Sequence, residues 1–173
     1  AALQRELAVT TVYVTHDQVE AMTMGDRVAV LKDGYLQQVD TPQNLYDRPD
    51  NVFVGAFIGS PSMNLYEGQA DISGNGGSVT IGSHTIGLDE QVLNARPGLK
   101  GYDGKPVIVG IRPEDFEDAA MVDGVPENRR ITSKVSLIES LGSEVMVHFR
   151  LDAKTVDSGD PDAVEESTSG NAA

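Results

Sequence analysis

The spacing of apolar positions changes character near residue 59. Upstream, apolar residues recur at helical intervals or crowd into β-branched runs, and downstream they alternate in short stretches separated by glycine-rich turns. Ala1 to Ala8 predicts a short helix with Leu3 and Leu7 on one face, and its uncapped start predicts a preceding portion. Thr10 to Thr15 is apolar or β-branched on both faces, which predicts a buried parallel strand covered by helices. Such a strand without sheet neighbours predicts that roughly the first 40 residues are disordered, exchanged with another copy or covered by a partner. Asp17 and Glu20 have the spacing of a capping box at a helix start, and Gly25 is placed to end that helix. Val28 to Leu31 and Tyr35 to Val39 flank Asp33-Gly34, a pair suited to a tight hairpin turn. Thr41-Pro42 supplies an N-cap and a first-turn proline for a helix that stops before Pro49. Asp50 is placed to cap a further helix whose apolar stripe is Val52, Phe53, Ala56 and Phe57.

Beyond the boundary at Gly59-Ser60-Pro61, strands are predicted at Leu65–Ile72, Ser78–Ile81, His84–Leu88, Val107–Ile111, Ser133–Glu139 and Glu144–Leu151. In the last, Val145, Val147, Phe149 and Leu151 face one way and Met146, His148 and Arg150 the other, which predicts a half-buried hairpin. The fold class is therefore mixed α/β: an α/β unit over residues 1–58, then a small antiparallel barrel of the OB type over 59–151. From Asp152 six acids face Lys154 alone, and residues 152–173 read as an acidic disordered tail.

Charge narrows the function classes. With 13 Lys and Arg against 27 Asp and Glu, the net charge of −14 repels nucleic-acid phosphates and anionic lipid headgroups. Aromatics make up 5% of the chain, too few for a base-stacking platform on an OB-like barrel. The absence of cysteine excludes disulfides and thiolate sites. No apolar run has the ~18 residues of a membrane span, and the first residues lack the pattern of a signal peptide, so a soluble cytoplasmic protein is expected.

His16 is the foremost candidate for chemistry, because it follows the carboxyl end of a predicted buried strand and precedes a helix, where open α/β sheets place ligand groups. The plainer reading is a surface or capping histidine. His84 and His148 fall in predicted hairpins without carboxylates at ligand spacing and read as structural. Arg112-Pro113-Glu114 reads as a strand end with charges on the surface. Glu114, Asp115, Glu117 and Asp118 lack the spacing of a calcium loop, and Met22, Met24 and Met63 read as packing residues. Gly104-Lys105 is not a phosphate loop, because Leu99 stands where the first glycine is required and Pro106 follows the lysine.

Thr11 to Met24, Asp26 to Leu31, Gly34, Gln38-Val39, Pro42, Leu45-Tyr46, Pro49 and Phe53 to Asn64 together resemble the switch-histidine region, and the segment after it, of the ATPase subunits of ABC importers, in particular the maltose-type sugar branch. Gly110 to Glu114 and Glu139 to Glu144 are similar to the OB-like regulatory (TOBE) domain that follows in that branch. The resemblance implies that residues 1–58 are the C-terminal piece of a P-loop ATPase domain and 59–151 the regulatory barrel, whose closing strands find no counterpart after Leu151. It also implies that His16 contacts the ATP γ-phosphate when two ATPase subunits close. ATP and Mg2+ would be the cofactors of the full-length protein, with none expected for these residues alone. The phosphate loop, signature sequence, magnesium aspartate and catalytic glutamate would lie before Ala1, so the chain alone is expected to be inactive. Implied partners are a second ATPase subunit, membrane-spanning permease subunits and, indirectly, an extracytoplasmic sugar-binding protein, at the inner face of the plasma membrane, without membrane insertion or nucleic acid. The competing reading is a stand-alone OB-like module that binds a small oxyanion or a regulatory protein.

Overall fold

The computed structural model describes residues 9–74, 76–142 and 144–159. Local signals decide most of the first elements. Helix α1 (Gln18–Met24) starts where Asp17, extended in backbone, accepts from the N–H groups of Val19 and Glu20 at 2.7 and 3.1 Å. It closes where Gly25 donates to the Ala21 carbonyl. Strands β1 (Val28–Lys32) and β2 (Tyr35–Asp40) pair antiparallel across Asp33 and Gly34, whose φ values of 51° and 81° form the positive-φ pair a two-residue hairpin needs. Thr41 caps α2 (Pro42–Asp47) by accepting from Asn44 N–H. Helix α3 (Val52–Phe57) is capped by Asn51, not by the expected Asp50. The backbone N–H of Asp50 is bound at 2.9 Å to Gln38 Oε1, which ties that residue to β2 and leaves Asn51 to turn into the helix.

These elements share a core of Val30, Leu45, Phe53, Val54 and Ile58, with Met22, Val28, Tyr46 and Phe57 packed on it and the Phe53 and Phe57 rings stacked at 5.4 Å. Each such side chain withdrawn from water contributes about 1.5–3 kcal/mol. Met24 is exposed and packs no core, contrary to its sequence reading. The expectation of disorder, exchange or cover through roughly residue 40 is not met by α1 and the β1–β2 hairpin, because capping and the Val30–Leu45 core order them within this chain. The predicted strand Thr10 to Thr15 is not a strand: these residues join no ladder, and Val12 and Val14 stand open to solvent. No described strand lies beside them to take up their backbone groups. The helix predicted at Ala1 to Ala8 lies outside the described residues.

The described residues fall into two units, the first up to Met63 together with those from Asp157, the second Asn64–Val156. The second holds an antiparallel sheet of β3 (Asn64–Asp71), β4 (Gly77–Ile81), β5 (His84–Leu88) and β6 (Pro106–Ile111), in the order β5-β4-β3-β6. Between β5 and β6 come α4 (Glu90–Ala95) and a 3-10 helix (Pro97–Tyr102), neither foreseen from sequence. Leu93 of α4 is fully buried against Ala70 and Ile72, with Leu88, Leu99 and Val107 around them. A 3-10 turn, Glu127–Arg129, packs against β5: Gly87 leaves room for Asn128, and Arg129 pairs with Asp89 just after the strand.

Strands β7 (Val135–Ser140) and β8 (Val145–Phe149) form a separate two-stranded sheet. The strands expected to close one barrel thus form two small antiparallel sheets among the described residues. The β7–β8 hairpin is also more open than half-buried: Val135, Leu137, Ile138, Val145 and Val147 are all exposed, while Met146 and Phe149 are partly covered, the Phe149 ring edge-on against Phe116 at 5.2 Å. The predicted tail begins as ordered chain. Thr155 bridges to Tyr66, Glu67 N–H donates to the Lys154 carbonyl, and Val156 N–H donates to the Leu65 carbonyl, so residues 154–156 run beside β3 beyond the end of β4. The rest of the predicted tail, from residue 160, lies outside the described residues. No described helix is long and apolar enough to cross a membrane.

Candidate functional site

His16 stands on a bend just before α1, with its side chain exposed. The residues on either side of it are fixed. Thr15 Oγ1 accepts from the Asp17 N–H at 2.9 Å and donates to Glu20 Oε2 at 2.9 Å. Tyr13 Oη donates to the same Glu20 oxygen at 3.0 Å. Tyr13 and Thr15 thus reach one carboxylate from the irregular segment before the bend. The hydrogen bond to Glu20, and secondarily its charge, hold the Tyr13 phenol above its usual pKa. The Glu20 carboxylate therefore serves this bend and does not reach back to the Asp17 N–H as a capping box requires; that N–H is taken by Thr15. Behind the bend, α1 is anchored by Met22 in the core and by Gln18, whose Oε1 accepts from Gly59 N–H at 3.1 Å.

Among the described residues the imidazole of His16 takes part in no hydrogen bond or ion pair. It is thus free to give one hydrogen bond to an external oxygen, a contact suited to a phosphoryl group. The bend supplies no further ligand set: no group of three or more His, Cys, Asp or Glu side chains suited to a metal occurs among the described residues. The bracing of the bend by Tyr13, Thr15 and Glu20 was not foreseen from sequence; the alternation Tyr13, Thr15 followed by Glu20 is the signal that could have found it.

The remaining sequence candidates separate. His84 and His148 do have carboxylate neighbours: His148 Nε2 lies 2.8 Å from Glu139 Oε2, and His84 Nε2 lies 3.7 Å from Asp152 Oδ1. Strand pairing produces the first and the return of the chain to the β4–β5 turn the second, so spacing along the sequence concealed both. Arg112 is buried at 6% exposure, not a surface charge, because it follows directly on β6 into the interior. Lys105 of the glycine-lysine pair donates to the Gly101 carbonyl at 2.7 Å and lies over the Tyr102 ring, a local structural role. An open groove of about 550 Å³ runs over β3, β4 and β6, and its one charged lining residue, Glu67, pairs with Lys154. An oxyanion finds no cationic pocket there.

Residues 59–116 match the MalK OB fold domain. The chain is 45% identical over 150 residues to the oligosaccharides import ATP-binding protein MsmX of Bacillus subtilis, an alignment covering 87% of this chain and 40% of that protein. It is 48% identical over 154 residues to the trehalose/maltose import ATP-binding protein MalK of Thermococcus litoralis, covering 88% and 40%. With the trehalose import ATP-binding protein SugC of Mycobacterium tuberculosis it shares 45% over 169 residues, covering 96% and 41%. The chain thus spans about two fifths of the length of these curated relatives.

Proposed function

Given that this chain belongs to the family of ATP-binding subunits of carbohydrate ABC importers, we propose that it forms the C-terminal portion of such a subunit and helps couple ATP binding and hydrolysis to sugar uptake. In this reading residues 1–58 complete a P-loop ATPase domain, and 59–151 form the OB-like regulatory domain. Val12 and Val14, open here, would lie in the sheet of that ATPase domain, whose strands would satisfy the backbone that joins no ladder among the described residues.

The observation that carries the proposal is the exposed, uncommitted His16 on a bend fixed by Thr15, Asp17 and Glu20. His16 acts as the switch histidine: its N–H donates to a γ-phosphoryl oxygen of ATP when a second ATPase subunit closes on the site. Phosphoryl transfer depends mostly on placement and on stabilising charge at the equatorial oxygens, and one well-aimed donor is worth about 100- to 1,000-fold in rate. In this reading the nucleotide and Mg2+ are held by other parts of the subunit, and His16 supplies the donor. Permease subunits and, through them, a sugar-binding protein are the remaining partners, at the cytoplasmic face of the membrane.

The test is His16→Ala in the complete subunit assembled with its permease. ATP hydrolysis is expected to fall about 100-fold or more while nucleotide binding persists. Retained hydrolysis removes His16 from the mechanism.

A further inference from the structure

The bonds around His16 divide its surroundings unequally. The residue before it and the residue after it are both tied to α1, while its own ring is bonded to no described residue. Thr15 lies at the junction: its hydroxyl takes the Asp17 N–H and passes its own proton to Glu20 Oε2, each at 2.9 Å. Asp17 Oδ1 in turn holds the Val19 and Glu20 N–H groups. Tyr13 adds a second donor to the Glu20 oxygen. Removing the Thr15 hydroxyl would free the Asp17 N–H next to His16, to which no other described group is bonded, and would take away one of the two donors that fix the Glu20 carboxylate, leaving Tyr13.

We propose that Thr15 and Glu20 are positioning residues for His16, setting the direction in which its imidazole leaves the bend. This rests on the reading of His16 as the phosphate-contacting histidine. Neither residue touches the nucleotide. Their effect is to limit how far the Cα–Cβ vector of His16 can swing, and a donor displaced by about 1 Å at a phosphoryl group can lose up to about 100-fold in rate. In this chain the segment before the bend is mostly exposed and joins no described ladder, so the restraint seen here comes from these side chains; in the complete subunit they act at the end of the sheet strand proposed above, on the His16 side of it. Tyr13 strengthens it from the same side, consistent with the raised pKa of its phenol.

The experiment compares Thr15→Val, Thr15→Ser, Glu20→Ala and Glu20→Gln in the complete subunit within its transporter. Thr15→Val and Glu20→Ala are expected to lower kcat roughly 10- to 100-fold while KM for ATP changes less than about threefold, because ground-state binding lies elsewhere. Thr15→Ser restores the hydroxyl and is expected to restore kcat, and Glu20→Gln, which keeps an acceptor oxygen, falls between. A residue with a purely structural role would lower the amount of folded subunit and leave kcat per folded molecule unchanged, so rates are referred to the nucleotide-binding fraction. Should Glu20→Ala fail to fold, Glu20→Gln and the Thr15 pair decide. Thr15→Val and Glu20→Ala within about twofold of the parent kcat, while His16→Ala loses hydrolysis, refute the bracing alone. Full hydrolysis by His16→Ala refutes the role of His16 itself, and this inference with it. In the present chain, amide exchange reads the brace directly: the Asp17 N–H is expected to exchange faster in Thr15→Val, and an unchanged rate overturns the proposal.

Discussion

Replacing Gln38 by leucine tests how the first unit is held behind the bend. Gln38 is 7% exposed, and its amide does two jobs: Nε2 donates to the Arg48 carbonyl at 3.0 Å, and Oε1 accepts from the Asp50 N–H at 2.9 Å. It thereby pins the link between α2 and α3 to β2. Leucine fills the site as far as Cδ and removes both partners. Two hydrogen bonds at roughly 0.5–1.5 kcal/mol each give about 1–3 kcal/mol, and two backbone groups left unpaired in a partly buried setting move the sum to about 2–3 kcal/mol. That converts to slow amides in α3 and β2 exchanging roughly 30- to 150-fold faster, at about 1.4 kcal/mol per tenfold. Native-state hydrogen exchange is the suitable assay, since it resolves one unit from the other where a bulk unfolding curve averages them. Gln38→Glu separates the two bonds, because a carboxylate still accepts from Asp50 but faces the Arg48 carbonyl without a proton. A loss below about 0.5 kcal/mol in Gln38→Leu, or an Asp50 amide as protected as in the parent, would refute the reasoning.

Asp152 gives a pH prediction. Ser83, first through its backbone N–H and then through its hydroxyl, holds the Asp152 carboxyl below the ordinary range. A lowered folded value means stability present above the unfolded value of about 3.9 and lost as pH falls through the folded one. Asp152→Asn should therefore narrow the gap between urea midpoints measured at about pH 6 and about pH 3, and an unchanged gap would contradict it. Gly82→Ala should destabilise the second unit by more than the roughly 1–2 kcal/mol of a left-handed backbone, because φ is 55° there and a Cβ would stand 2.5 Å from the Asp152 carbonyl oxygen. Denaturant unfolding checks it, and a loss below about 1 kcal/mol counts against the close approach.

What could be read from sequence was what neighbours along the chain decide. Asp33-Gly34, the Asp17 and Thr41 caps and the limits of β5 all depend on residues within a few positions of one another. Asn51 displaced Asp50 as a cap because of Gln38, 12 residues earlier along the chain. The helix at Glu90–Ala95 was hidden by its shortness and by the Pro97-Gly98 that follows, though Asp89 is a fair start signal. Doubly apolar Thr10 to Thr15 reads as a strand because pattern reports what a segment needs, not whether the partner is present. For the candidate site, His16 as a candidate lay in the sequence, while the bonds around it depend on which acceptor Thr15 takes and which donors Glu20 receives. The pairing of Asp152 with Ser83 spans 69 positions, and no local rule reaches it.

The pairing of residues 154–156 with β3 also bears on how the protein is made. Leu65 and Glu67 are synthesised early in the second unit, yet their partners on that side, Val156 and Lys154, are among its last residues. A ribosome therefore cannot release a finished second unit in stages: until residue 156 has cleared the exit tunnel, that flank of β3 waits as an open template, accessible to any other extended chain nearby.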